Sequence, residues 1–169
     1  MKRIGLALGG GGARGVAHIA YLKALDEMGI KPSVISGTSS GAIAGALYAG
    51  GMTPDEIMDS LHSIISFRGK KASRGVKLER RPGGMAVSVA HRTLSRLLPK
   101  KSFEELNIPL KVVATNFHTL KERVFESGEL LPAVMASVAL PSAFVPQMVD
   151  GEYYMDGGAT NIVPFDIIR

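Results

Sequence analysis

The chain of 169 residues contains no cysteine. Disulfides, thiolate-ligated metals and a cysteine nucleophile are thereby excluded. It also lacks an apolar run long enough for a bilayer. An uncharged window of that order, between Pro32 and Thr53, holds Ser36, Thr38, Ser39 and Ser40 and is broken by glycines, whereas a membrane helix needs about 20 predominantly apolar residues. Met1-Lys2-Arg3 is followed by apolar residues only as far as Leu8, too few for the core of a signal peptide. A soluble, cytoplasmic protein is expected. The formal charge is only +5, and the excess is concentrated: Arg68 to Arg81 carries seven bases against one acid, Glu79. No aromatic is interleaved there, so a stacking platform for nucleic acid is not expected. Residues 68–84 read instead as a basic mobile loop. It serves either as a solvated linker or as a peripheral contact for anionic membrane headgroups. Internal repeats and low-complexity tracts are absent as well.

What is present is enough for a core: 46% of the residues are hydrophobic, and the length is that of one domain. The chain is organised around Val34 to Ala49. There a short β-branched run meets Gly37-Thr38-Ser39-Ser40-Gly41 and then a run of small helix formers. The pattern G-x-S-x-G at a strand-to-helix junction is a nucleophile elbow. The flanking glycines remove the Cβ atoms that would collide in so tight a turn. Ser39 is then carried at a helix N-terminus, where free amides and the helix dipole favour developing negative charge. The competing reading is a Gly/Ser-rich turn before a buried helix.

Ahead of the elbow, Arg3 to Leu8 reads as a buried strand, and Val16 to Met28 as a helix with Gly29 at its C-cap. Strand, glycine loop, helix, strand, elbow and helix in succession predict an α/β fold with a parallel sheet. The glycine loop admits two chemistries. Gly10-Gly11-Gly12-Ala13-Arg14-Gly15 contains G-x-G-x-x-G, yet the second strand ends in Ser36-Gly37-Thr38 and not in the acid a dinucleotide site requires. A Walker lysine is missing too. The alternative is an oxyanion hole, in which each converging amide contributes roughly 100- to 1,000-fold in rate. In a parallel βαβ unit the glycine loop and Ser39 emerge at the same sheet edge.

Further along, Thr53-Pro54-Asp55-Glu56 is a helix start of the capping-box type, and Ser102-Phe103-Glu104-Glu105 is a second. Val87 to Leu98 is an amphipathic helix candidate. Leu110 to Thr115 and Arg123 to Phe125 read as strands, and Leu130 to Leu140 as a helix ended by Pro141. Met148 to Met155 is expected to form a hairpin with an Asp150-Gly151 turn. The serine needs a base. His18, His62, His91 and His118 all precede Asp156 and none follows it, which argues against the Ser-acid-His order of α/β-hydrolases. A Ser-Asp dyad is simpler, with a carboxylate withdrawn from water serving as base. Asp156 lies at a strand end before two glycines; its competitor, Asp150, is better explained as the tip of the hairpin turn.

Taken together, Gly10-Gly11-Gly12-Ala13-Arg14-Gly15, Gly37-Thr38-Ser39-Ser40-Gly41 and Asp156-Gly157-Gly158 resemble the patatin-like phospholipase family in kind and order, and Ala136-Ser137-Val138-Ala139-Leu140-Pro141 is similar to a further stretch of it. The resemblance implies a three-layer α/β/α fold with a mostly parallel central sheet. It implies lipid acyl-ester hydrolysis through an acyl-enzyme, without metal or cofactor. Ser39 matches the nucleophile and Asp156 the base; Gly10, Gly11 and Gly12 match the oxyanion hole, with Arg14 at its basic position. Domains of that family continue with more helix and strand beyond Asn161-Ile162-Val163-Pro164. A hydrolase domain over 1–169 truncated at its C-terminus is therefore expected, and homo-oligomerisation is one way to complete it. The acyl pocket is expected around Met135 to Phe144. Two alternatives stay open: a non-catalytic module that binds anionic membrane, and a nucleotide-binding protein using the glycine loop.

Overall fold

The computed structural model describes residues 3–60, 84–141 and 143–169. Leu6 and Leu8 of the first strand, β1 (Gly5–Leu8), are buried. The strand stops where the glycines begin. A single 3-10 turn, Gly12–Gly15, then leads into α1 (Val16–Glu27), which buries Ile19, Leu22 and Leu25. Gly29 ends that helix at φ +68°, the left-handed geometry that glycine adopts without a Cβ penalty. β2 (Val34–Thr38) follows, and then α2 (Ser40–Ala49), buried at eight of its ten positions. Residues 54–60 belong to a third helix, α3. Its capping box forms as expected: the Thr53 amide donates to Glu56 Oε2 at 2.8 Å, and the Glu56 amide donates to Thr53 Oγ1 at 3.3 Å. His62 and the basic stretch Arg68 to Arg81 lie outside the described residues.

After α4 (Gly84–Leu97), the second capping box forms only a 3-10 turn, Phe103–Glu105. The rest is β3 (Leu110–Asn116), β4 (Glu122–Phe125), α5 (Leu130–Ser137), β5 (Gln147–Val149) and β6 (Glu152–Asp156). α5 is shorter than the sequence led us to expect. It unwinds after Ser137, and the Ala139 carbonyl accepts the amide of Asp156 at 3.0 Å instead of continuing a helix. The β5–β6 hairpin turns on Asp150 and Gly151, at φ +50° and +83°. Two left-handed residues in a two-residue loop match the twist of paired strands.

The strands form one six-stranded sheet in the order β1-β2-β3-β6-β5, with β4 also on β3. A mostly parallel sheet was expected; the sheet is mixed. β1–β2 and β2–β3 are parallel, while β3–β4, β3–β6 and β5–β6 are antiparallel. The lengths of the connections explain the parallel pairs and the β3–β4 and β5–β6 hairpins. A parallel neighbour needs a crossover of a dozen or more residues, which α1 and the 39–109 segment supply, whereas tight turns such as Asp150-Gly151 permit only antiparallel return.

Each sheet face carries a layer, as a three-layer fold requires, but the two are unequal. On one face α2 lies so close that a Cβ on Gly45 would come within 3.1 Å of Leu110, 3.2 Å of Ile35 and 3.7 Å of Leu8. Those side chains join Leu22, Leu47 and Val112 in the main apolar core, each worth about 1.5–3 kcal/mol of burial. On the other face Ser36 Oγ donates to the Pro164 carbonyl at 2.6 Å and Thr38 Oγ1 to the Asn161 carbonyl at 2.8 Å. Residues 161–168 thus form the opposite layer, closed by the 3-10 turn Asp166–Ile168 over Gly5. Among the described residues no helix is long and apolar enough to cross a membrane.

Candidate active site

Ser39 sits between β2 and α2 at φ +53°, ψ −118°. That backbone region is sparsely populated for a residue with a side chain and costs on the order of 1–3 kcal/mol. The neighbouring glycines make it possible. A Cβ on Gly41 would lie 1.9 Å from the Leu8 carbonyl oxygen, and one on Gly37 would lie 2.7 Å from Ala42 Cα. The strain is held from outside the turn as well. The Ser39 amide donates to the hydroxyl of Ser137 at 2.8 Å, and Ser137 is fully buried at the end of α5.

The hydroxyl of Ser39 donates to Asp156 Oδ2 at 2.7 Å. Asp156 ends β6, is only 6% exposed, and takes a second hydrogen bond on Oδ1 from the Gly158 amide at 2.8 Å. Its own backbone is pinned too, with the carbonyl accepting from Thr115 Oγ1 at 3.0 Å. Among the described residues no cation is ion-paired with it. The carboxylate is therefore oriented by neutral donors, with one oxygen left to the serine. Asp150, by contrast, is exposed at the hairpin tip.

The glycine loop lies beside this pair. An added Cβ on Gly10 would be 3.4 Å from Ser39 Cβ. Both sides of the Gly9–Gly10 peptide are tied down: the Gly9 carbonyl is 2.8 Å from His18 Nε2, and the Gly10 amide donates to the Ile162 carbonyl at 2.8 Å. The family resemblance groups Gly10 with Gly11 and Gly12 as oxyanion donors. Its N–H is already engaged, because the C-terminal segment runs alongside the loop and takes it. The amides of Gly11 and Gly12 make no such bond among the described residues, and Gly12 holds φ +55° to turn the loop. Arg14 donates its backbone amide to the Gly11 carbonyl at 3.1 Å, while its side chain is exposed and makes no ion pair among the described residues.

Ser39, Asp156 and the three glycines open onto one cleft of about 930 Å³. Of the stretch expected to form an apolar pocket, Val138, Leu140, Pro141 and Phe144 line it, but Met135 is buried in the core instead. The rest of the apolar wall comes from α1, α2 and α3, with Ala13, Ala159 and Ile162. Among the described residues no three His, Asp or Glu side chains cluster as a metal would require.

Three contributors escaped the sequence reading. Ser137 lies inside the Ala136 to Pro141 stretch, and a small hydroxyl among apolar neighbours is its only signal. His18 stands nine residues from Gly9, a separation that marks no local contact. Ile162 acts through its backbone, which no side chain announces.

The sequence matches the patatin-like phospholipase family over residues 6–169. A Caenorhabditis elegans patatin-like phospholipase domain-containing protein is 34% identical over 172 residues, covering 98% of this chain and 12% of that protein. Human patatin-like phospholipase domain-containing protein 6 is 35% identical over 173 residues, with the same shares, and an NTE family protein of Mycobacterium tuberculosis is 33% identical over 165 residues, covering 96% and 44%. The chain thus spans about an eighth of the length of the two animal relatives and under half of the bacterial one. In fold it is similar to VipD from Legionella pneumophila, with a TM-score of 0.59 at 17% identity, covering 93% of this chain and 46% of that one. A second neighbour is the ExoU–SpcU complex of Pseudomonas aeruginosa, with a TM-score of 0.54 at 18% identity, covering 84% and 37%.

Proposed function

The chain belongs to the patatin-like phospholipase family, and from that premise we propose that it is a lipid acyl hydrolase working through a Ser39–Asp156 dyad. The observation that carries the reading is the 2.7 Å hydrogen bond from the Ser39 hydroxyl to a buried carboxylate. A nucleophile and its base within hydrogen-bond reach are the geometric requirement for covalent catalysis.

In the proposed reaction Ser39 Oγ attacks the ester carbonyl while Asp156 Oδ2 takes its proton. The carbonyl oxygen becomes an oxyanion and rests against the free amides of Gly11 and Gly12, with the N-terminal end of α2 adding its dipole. The intermediate collapses, the carbon–oxygen bond to the leaving alcohol breaks, and Asp156 returns the proton to that alkoxide. Water then attacks the acyl-serine. Asp156 takes a proton from the water and delivers it to Ser39 as the fatty acid leaves. Arg14, at the exposed rim of the loop, offsets negative charge on an incoming lipid. Peripheral contact with anionic membrane through residues 68–81 belongs to the same proposal.

The test is a hydrolysis panel of phospholipid, lysophospholipid and neutral ester, each with the wild-type chain and with Ser39→Ala. Fatty-acid release by the wild type that disappears in the variant supports the reading. Release that survives in Ser39→Ala, or no release from any member of the panel, contradicts it.

A further inference from the structure

The cleft has a direction. Ser40, Ile43, Ala44 and Leu47 are spaced so that they share one face of α2, and all four border the cleft. The stripe starts next to Ser39 and ends at Leu47, seven residues beyond Ser40, which is about 10 Å along the axis at 1.5 Å per residue. α1 forms the facing wall with Val16, 43% exposed at the mouth, and Ile19, buried one turn deeper. Leu47, Ile19 and Ile57, which also border the cleft, are essentially inaccessible to solvent.

Resting on the ester-hydrolase reading above, we propose that the acyl chain lies along α2 and that Leu47 sets its length. Carbon–carbon bonds of about 1.5 Å advance an extended chain by roughly 1.25 Å per carbon. An extended chain that follows the stripe as far as Leu47 spans about eight to ten carbons counted from the carbonyl. Each methylene that enters an apolar wall raises kcat/KM by about fourfold. Methylenes that would run past Leu47 find no space and add nothing. Ala44 stands about 6 Å along the stripe, so enlarging its side chain closes the groove halfway.

The experiment uses a series of 4-methylumbelliferyl esters from acetate to palmitate, at monomeric concentrations. It is run on the wild type, Leu47→Ala and Ala44→Leu, with melting curves on each as the check of folding. The readout is the chain length at which kcat/KM stops rising, a comparison made within each variant that a uniform loss of activity does not move. The wild type is expected to break at about eight to ten carbons, Ala44→Leu at about four to six, and Leu47→Ala two or more carbons beyond the wild type. Leu47→Ala removes core volume; if it does not fold, Ala44→Leu alone decides. A break at the same length in the wild type and the folded Ala44→Leu overturns the inference while leaving ester hydrolysis intact. Absence of turnover on every ester overturns both, and so separates the two failures.

Discussion

Thr38 and Asp156 face consecutive residues of one strand: Thr38 is paired with Val113 and Asp156 with Ala114. β4 occupies the other edge of β3, from Val112 to Thr115, so β2 and β6 must share the remaining edge. β2 runs parallel to β3 and β6 antiparallel, which drives their C-terminal ends toward each other. Two side chains 117 positions apart in sequence meet there, because each is the last turn-forming residue of a strand that has run out of room.

Gly157 is where β6 turns away from that junction, and a Cβ on it would lie 2.3 Å from the Val113 carbonyl oxygen. The obstacle is backbone, which cannot step aside. Gly157→Ala is expected to cost about 1–3 kcal/mol, a drop of about 2–12 °C in Tm for a chain of this size, measured by thermal unfolding. Ester turnover should fall further than stability does, since any relief of the clash moves Asp156 away from Ser39.

Ser137→Ala removes the acceptor of the Ser39 amide. Leaving a largely buried N–H unpaired costs about 1–3 kcal/mol, and the strained elbow loses a restraint. We expect kcat to fall by roughly 10- to 100-fold with little change in KM, as a small misplacement of a nucleophile does. Ser137→Thr keeps the hydroxyl and should recover part of the rate. A loss of stability with kcat unchanged would show that the bond supports only the fold.

The parts of this site that spacing alone can encode were legible in the sequence. Gly37 and Gly41 had to be glycine, because the chain passes within van der Waals distance of itself there, and Asp156-Gly157-Gly158 carried the same mark of close approach. Less legible were relations between distant segments. Ser137 meets Ser39 across 98 residues, and Ile162 takes the Gly10 amide through a carbonyl that every residue possesses. The α/β class followed from the first fifty residues. Of the antiparallel half of the sheet only the β5–β6 hairpin was legible, in its Asp150-Gly151 turn; the pairing of β4 and β6 with β3 joins segments whose partners no local pattern names.

Asp26, near the end of α1, accepts hydrogen bonds from Lys31 and from the Tyr48 hydroxyl of α2, the latter at 2.6 Å. Burial pushes this carboxyl up, but those bonds and the Lys31 charge outweigh it and hold it below the ordinary range. A lowered folded-state value means that the unfolded chain binds the proton more readily. The stability is therefore fully present above about pH 4, the unfolded value, and is lost as pH falls through the lower folded one. With Lys31 well exposed the contribution is modest, up to about 1 kcal/mol. Asp26→Asn should lower Tm at pH 5–7 by a constant margin that closes below about pH 4, as read from melting curves across that range.

The proposed chemistry requires Asp156 to activate Ser39, and the rate at which a fluorophosphonate becomes attached to Ser39 measures that activation without assuming any substrate. Intact-mass kinetics with peptide mapping should show one adduct, on Ser39. In folded Asp156→Asn its formation should slow by at least about 100-fold, the scale of lost general-base help. An adduct on another residue, or equal labelling of Ser39 with and without the carboxylate, would contradict it.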